Sequence, residues 1–338
     1  MHIQEHVELK KYSTFHIGGA ADFFVEVVSK EELREAVMWA EEHGQSWCVV
    51  GEGSNILFPD EGVRGLIIKN SILGIVHETT EAGISLTVGA GVILDDLVSY
   101  ACDHGWWGLE NLSSIPGTVG ATPVQNVGAY GLEVAEVISS VSVYDSEADS
   151  YLVLFPSECR FGYRNSLFKE REGKRYVIHT VSFFLKKETG PCLTYRDLVP
   201  LLGAQETLTP HVVRKEVIRI RSQKFPNWHM LGTAGSFFKN PTVSDEAFKE
   251  LSLKYPGIPG HELPHGDVKV ALGWVLDHVC NVRGLRIGDV GTYEAQALVI
   301  INYGTATAQE VLTFAEKITE CVEKKCDIVI EKEVRIIV

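Results

Sequence analysis

None of the seven cysteines stands in a Cys-x-x-Cys pair. Cys48, Cys102, Cys159, Cys192, Cys280, Cys321 and Cys326 are scattered and odd in number. A secreted disulfide framework has clustered, paired spacing, and a structural zinc site takes its ligands in close pairs, so both are excluded. No apolar run approaches the ~20 residues a spanning helix needs. The stretch from Met1 to Glu8 has no basic region followed by an apolar one, so no signal peptide is expected. Cations are scarce too: 31 Lys plus Arg against 45 Asp plus Glu, a net charge of −14. Phosphate contacts need a concentrated cationic surface, which makes nucleic acid a poor partner. These absences predict a reduced, cytoplasmic protein with no membrane and no nucleic-acid partner. An anionic substrate would need a local basic pocket working against the global field. Repeats and low-complexity linkers are missing as well, and composition is that of an ordinary globular chain. Its 338 residues can bury a sizeable core in two or three packed domains.

Periodicity predicts a helix over residues 29–43. Ser29 and Glu32 have capping-box spacing, Leu33, Ala36, Val37 and Ala40 form the apolar stripe, and Gly44 supplies the stop. With strand-like runs at 21–28, 47–50 and 65–69 it makes a small βαβ-like unit. From there to about residue 190, strands are predicted at 84–88, 137–144, 151–155 and 176–185, with a helix at 94–104. A third region opens with a helix after Thr209, Pro210 occupying its first turn. Further helices are predicted at 244–255, 269–280 and 308–324, a strand at 298–302, and a closing strand at 327–338.

Six segments invite a chemical reading. His261-Glu262-Leu263-Pro264-His265 matches the zinc-protease pattern, but Pro264 inside it and Pro259, Gly260 and Gly266 beside it forbid the helix that chemistry requires; a surface loop is expected. Gly51-Glu52-Gly53-Ser54-Asn55-Ile56 is a strand-to-turn segment whose amides could form an anion nest or simply a turn. It lacks the Lys of a P-loop and the third glycine of a dinucleotide fingerprint. Residues 108–131 form a long segment rich in glycine and uncharged amides. A loop of that length favours a cofactor cradle over a plain connection. Arg164, in Phe161-Gly162-Tyr163-Arg164, could clamp a carboxylate, although an isolated Arg is more often a surface ion pair. Ser236 lies among small residues in Gly232-Thr233-Ala234-Gly235-Ser236, without the nucleophile-elbow spacing, so a proton donor fits better than a nucleophile. Just upstream, Arg214, Lys215, Arg219, Arg221 and Lys224 form the best local candidate for a pyrophosphate or carboxylate pocket. The bland alternative is a solvated helix face.

Taken together, the segments resemble the UDP-N-acetylenolpyruvoylglucosamine reductase family. The anchors are Ser13-Thr14-Phe15-His16-Ile17-Gly18-Gly19, the Gly-Ser-Asn turn, Ile115-Pro116-Gly117, Gln125-Asn126, Phe161-Gly162-Tyr163-Arg164, Ala234-Gly235-Ser236-Phe237-Phe238-Lys239-Asn240-Pro241 and Glu333-Val334-Arg335. The likeness runs from about Ser13 to Arg335. Thr194-Tyr195-Arg196-Asp197-Leu198 resembles the tyrosine loop of the family's first subclass.

That resemblance implies an α+β chain. A two-part FAD-binding fold of the vanillyl-alcohol-oxidase (PCMH) type would occupy residues 1–69 and 70–205, and a substrate domain residues 206–326. The closing segment 327–338 would return to the first part. FAD would contact Gly51, Gly53, Ser54, Asn55 and Ile56. In the cradle it would meet Ile115, Pro116, Gly117, Thr118, Gly120, Ala121, Gln125, Asn126, Gly128 and Ala129. NADPH would reduce the flavin, and a UDP-linked enolpyruvyl amino sugar would accept the hydride. Arg164 and Glu333, the latter holding or sharing a proton, would stabilise the enolate-like species, and Ser236 would protonate it. Tyr195, Lys224, Asn240, Arg283 and Gln296 would hold the nucleotide end; no metal is implied. Three positions depart from the family's usual residues: Ser13 for Asn, Glu52 for Gly and Arg283 for Lys. A carboxylate beside a pyrophosphate is unfavourable, so Glu52 is expected to point away.

Overall fold

The computed structural model describes residues 1–187, 190–203 and 207–337. The expected boundary at residue 205 lies outside them. Contacts divide the chain into two units, each assembled from separated stretches. The first holds 1–7, 21–52 and 64–221, the second 8–20, 53–63 and 222–338.

The first unit begins with a βαβ element built as its end signals dictate. The Ser29 side chain accepts the Glu32 N–H at 3.1 Å, and Glu32 in turn accepts the Val28 N–H at 2.9 Å. The helix runs Lys30–Glu42, and Gly44, at φ +64°, turns the chain out of it. Leu33, Ala36, Val37 and Ala40 are fully buried against a four-stranded sheet. Its strand order is Gln4–Glu8, Ala20–Val27, Val63–Asn70, Trp47–Val50, with the last two parallel. The five-stranded sheet of the same unit is antiparallel throughout, ordered Ser150–Leu154, Ile138–Asp145, Tyr176–Lys186, Gly83–Gly89, Ile75–Thr79. Its register places Val181 opposite Val88, Phe183 opposite Leu86 and Leu185 opposite Ile84. Those alternating residues bury one face against the helix Leu94–Asp103. Tyr144 and Val177 join the core of the βαβ element.

The second unit packs Phe15, Ile17, Leu57, Phe237 and Phe238 with one face of the helix Ala308–Cys326. Three expectations are corrected here. The closing segment is not one strand over 327–338: only Arg335–Ile336 forms a strand, parallel to Ile56–Leu57. Before it, the Lys239 N–H donates to the Glu331 carbonyl and the Glu333 N–H to the Phe237 carbonyl. The chain serves two partners in succession and so forms no single ladder. Likewise, 269–280 is not one helix. Val268–Val270 pairs with Gly260–Glu262 and Thr242–Val243, which commits Lys269 to a sheet. Helical structure starts at Leu272–Trp274 and widens into a π-turn at Val275–Val279. His261 and Glu262 therefore lie in an exposed hairpin strand rather than a loop, and Leu263 to Gly266 form its turn. Among the described residues no group of three or more His, Cys, Asp or Glu is arranged to hold a metal, and no helix is long and apolar enough to cross a membrane.

Candidate active site

In the first unit the cradle is pinned at its middle to the start of the helix Leu94–Asp103. The Leu94 N–H donates to the Gly117 carbonyl at 2.9 Å, Val119 N–H to Val92 and Gly120 N–H to Ala90, both at 2.8 Å. A Cβ on Gly120 would come within 2.5 Å of the Ala90 Cβ, so the glycine is demanded by this contact. Gly51 meets Thr118 in the same way, its Cβ position 2.4 Å from the Thr118 hydroxyl. Ile115, Pro116 and Gln125 are half-buried and Ala121 is exposed. Asn126 is buried at φ +45°. Its amide donates to Glu133 (2.7 Å) and the Gly162 carbonyl (3.2 Å) and accepts from Ala135 N–H (3.1 Å), so it organises the cradle. Gly128 and Ala129 lead into a two-residue hairpin at Tyr130 and Gly131, both at positive φ. The Arg164 guanidinium reaches this hairpin, donating to the Gly128 carbonyl at 2.8 Å.

The cationic cluster does not act as one pocket. Arg214 is held by Asp95 through two bonds, at 2.5 and 2.9 Å. The Asp95 carboxyl lies below the usual range because Arg214, the Ser114 N–H and Arg221 together outweigh the opposing effect of burial. Arg219 makes an exposed pair with Glu216. Arg221 is the cation turned to the cradle: its Nε donates to the Ser114 carbonyl at 3.2 Å, and its guanidinium meets the Tyr130 hydroxyl. Removal from water weighs against its charge, with Tyr130 and Asp95 offsetting part of that. Sequence reasoning placed Arg221 in the cluster without separating it. The seven-residue spacing from Arg214, which keeps both on one helical face, was the available signal. Glu52 pairs with Lys69 at 2.7 Å, so its charge is neutralised within this unit; Lys69 is a contributor the sequence did not suggest.

In the second unit, motifs far apart in sequence meet through their backbones. Gly53, at φ +64°, leaves no room for a side chain: its Cβ would lie 2.0 Å from the Tyr12 carbonyl. Phe237 is the junction. Its N–H donates to Leu298 and its carbonyl accepts from Glu333 N–H, both at 2.8 Å, which sets half-buried Ser236 beside the Glu333 segment. Asn55 donates its amide to the Glu333 carbonyl at 3.2 Å, and Ile56 pairs with Arg335. Ser54 is half-buried in the same turn. A Cβ on Gly235, next to Ser236, would meet nothing within 4 Å, so space is open there. Asn240 accepts the Leu272 N–H at 3.0 Å, and the Gln296 carbonyl oxygen approaches Gly273, so these two gather at one helical turn. Arg283 is exposed and held by Asp277 at 3.1 Å, while Lys224 ends the helix Pro210–Lys224. Tyr195 belongs to the first unit, exposed and edge-on to Tyr130 at 5.1 Å.

Two family profiles match the chain: an FAD binding domain over residues 21–150 and a UDP-N-acetylenolpyruvoylglucosamine reductase C-terminal domain over 226–337. The UDP-N-acetylenolpyruvoylglucosamine reductase of Porphyromonas gingivalis is 39% identical over 343 residues, covering all of both chains. That of Escherichia coli is 40% identical over 330 residues, covering 97% of this chain and 95% of its own. The crystal structure of the UDP-N-acetylenolpyruvylglucosamine reductase from Thermus caldophilus matches over the full length of both chains, with 27% identity and a TM-score of 0.69. The chain therefore belongs to the UDP-N-acetylenolpyruvoylglucosamine reductase family of FAD-binding enzymes.

Proposed function

We propose that this protein reduces the enolpyruvyl group of UDP-N-acetyl-3-O-(1-carboxyvinyl)-glucosamine to give UDP-N-acetylmuramate, with NADPH as the source of electrons, in the synthesis of peptidoglycan precursors. The residues fit the flavin. From Ser113 to Gly131 the cradle has no charged side chain, and its hydroxyls and amides suit a neutral ring system. Arg221, turned to the cradle, suits a pyrophosphate. Gly51, Gly53, Ser54, Asn55 and Ile56 would hold that end, and the segments 115–121 and 125–129 the remainder. When bound and reduced by NADPH, the flavin would supply hydride to the terminal carbon of the enolpyruvyl group.

The chain's own residues manage charge and proton. Arg164 and Glu333, the latter holding or sharing a proton, stabilise the negative charge that develops on the carboxylate side, where aimed donors contribute most. Ser236 then delivers a proton to the carbon beside the carboxylate. A serine hydroxyl is a very weak acid, so it depends on those neighbours. Tyr195, Lys224, Asn240, Arg283 and Gln296 bind the UDP portion, which is how a chain of net charge −14 accepts an anionic substrate. The observation that supports this reading is the Phe237 junction, where the Glu333 N–H is bonded to the carbonyl of the residue that follows Ser236.

The test is an absorption experiment under anaerobic conditions. NADPH should bleach a yellow protein, and the enolpyruvyl sugar nucleotide should restore the colour. In Ser236→Ala, bleaching should proceed at a rate within about twofold of the parent, while recolouring slows by at least ~100-fold. Unchanged recolouring removes Ser236 from the mechanism. A colourless protein that takes up no FAD overturns the reading as a whole.

A further inference from the structure

Tyr195 lies on a stretch with the composition of a surface loop, yet the base of that stretch is fastened by two residues the mechanism does not use. Asn111 is fully buried, and its side-chain amide donates to the carbonyls of Tyr130 at 2.7 Å and Cys192 at 2.8 Å. Glu110, its neighbour, is 2% exposed. It accepts the Gly108 N–H at 2.7 Å, and the backbone N–H groups of Leu109 and Cys192 lie on its side and favour its charge. Cys192 thus has its carbonyl held by Asn111, with its amide turned toward Glu110. On either side of Tyr195, Leu193 and Leu198 are buried with Tyr130, Val213, Val217 and Ile220. Gly131, in the cradle hairpin, packs so closely on this stretch that a Cβ would come within 2.7 Å of the Thr194 hydroxyl. Only the short span from Thr194 to Asp197 lies between the two buried leucines, with Thr194, Tyr195 and Arg196 exposed.

We propose that Glu110 and Asn111 are positioning residues for the sugar nucleotide: a buried clamp that presents Tyr195 from a fixed base. Motion on substrate binding is then confined to residues 194–197. The proposal rests on the assignment of Tyr195 to substrate binding. Two acceptors held by one amide explain why the residue is Asn. In the isosteric aspartate a carboxylate oxygen would replace the donor and face two carbonyls.

Amide hydrogen exchange of the intact flavoprotein, read by mass spectrometry over residues 190–199, tests the clamp directly. The Cys192 amide should be protected while those of residues 195–197 exchange freely. Asn111→Asp should accelerate exchange at residues 192–194 at least tenfold. It should also raise the KM for the enolpyruvyl sugar nucleotide about tenfold, with flavin content and the rate of bleaching by NADPH within twofold of the parent. Exchange of the native Cys192 amide at the rate of an unstructured chain overturns the proposal, as does an Asn111→Asp protein with unaltered KM. If that variant does not fold, the native exchange pattern decides alone. Tyr195→Ala separates the two claims. A KM within twofold of the parent there refutes the role of Tyr195 in binding, while the exchange data still judge the clamp.

Discussion

His179, in the central strand Tyr176–Lys186, is a residue whose ionisation the fold opposes. Burial first, and the Lys30 charge second, bring its pKa down to about 4. Its Nδ1 lies 3.0 Å from the Thr180 hydroxyl, and the ring meets Tyr151 edge-on at 5.6 Å. In the unfolded chain the ring titrates near ~6.5, so between the two values the unfolded state binds more protons. The stabilisation is therefore complete above pH ~6.5 and is lost as pH falls toward 4, by ~1–3 kcal/mol. Urea unfolding followed across that interval should show the decline, and His179→Gln should flatten it; an equal slope in both proteins would refute the assignment. The same scale shows what a sequence leaves open. Arg214, Arg219 and Arg221 are alike in a string of letters, yet two are neutralised by Asp95 and Glu216 and the third turns to the cradle. Electrostatic role depends on the partner within a few ångströms, and those partners are brought in by folding.

At the scale of elements, helices with their own end signals were legible. Residues 29–43 were predicted and Lys30–Glu42 observed, because the Ser29 cap, stripe and stop are all local. The helix Ala308–Cys326 was predicted as 308–324, and its start is secured both by the local Thr307–Glu310 capping box and from elsewhere. Asp60 accepts the Ala308 N–H at 2.7 Å and the Gln309 N–H at 3.1 Å, while Thr307 takes the Glu310 N–H. A carboxylate against those first-turn amides adds dipole and cap energy, so Asp60→Ala should cost about 1–2 kcal/mol. Asp60→Asn should retain roughly half of it. Thermal unfolding of the two variants checks this; equal melting temperatures in parent and Asp60→Ala would show the cap to be redundant. The short strands Ile75–Thr79, Arg286–Ile287 and Val290–Tyr293 were not legible. Each is fixed by its ladder partner rather than by its own alternation.

For the whole molecule, the dominant charge term is the excess of fourteen negative charges. Ion pairs such as Arg64–Asp22 and Arg160–Glu170 are exposed and each contributes ~0–1 kcal/mol, so screening them removes little. Screening the self-repulsion acts on every surplus carboxylate once the Debye length falls to ~10 Å. Raising NaCl from 10 to 150 mM should therefore raise the melting temperature by a few degrees. A fall would mean that the ion pairs outweigh the repulsion. Composition and period marked the local elements, and the family resemblance carried by the ordered motifs implied the class of fold, FAD and the residues proposed to act, because motifs depend on residue type and near-neighbour spacing. The tertiary structure alone decided that Glu52 is neutralised by Lys69, that the last residues serve two partners instead of one strand, and that the Glu333 N–H is bonded to the Phe237 carbonyl. Each of these joins positions far apart along the chain, and the energy that selects them comes from packing and hydrogen bonds that exist only once the chain has closed those loops.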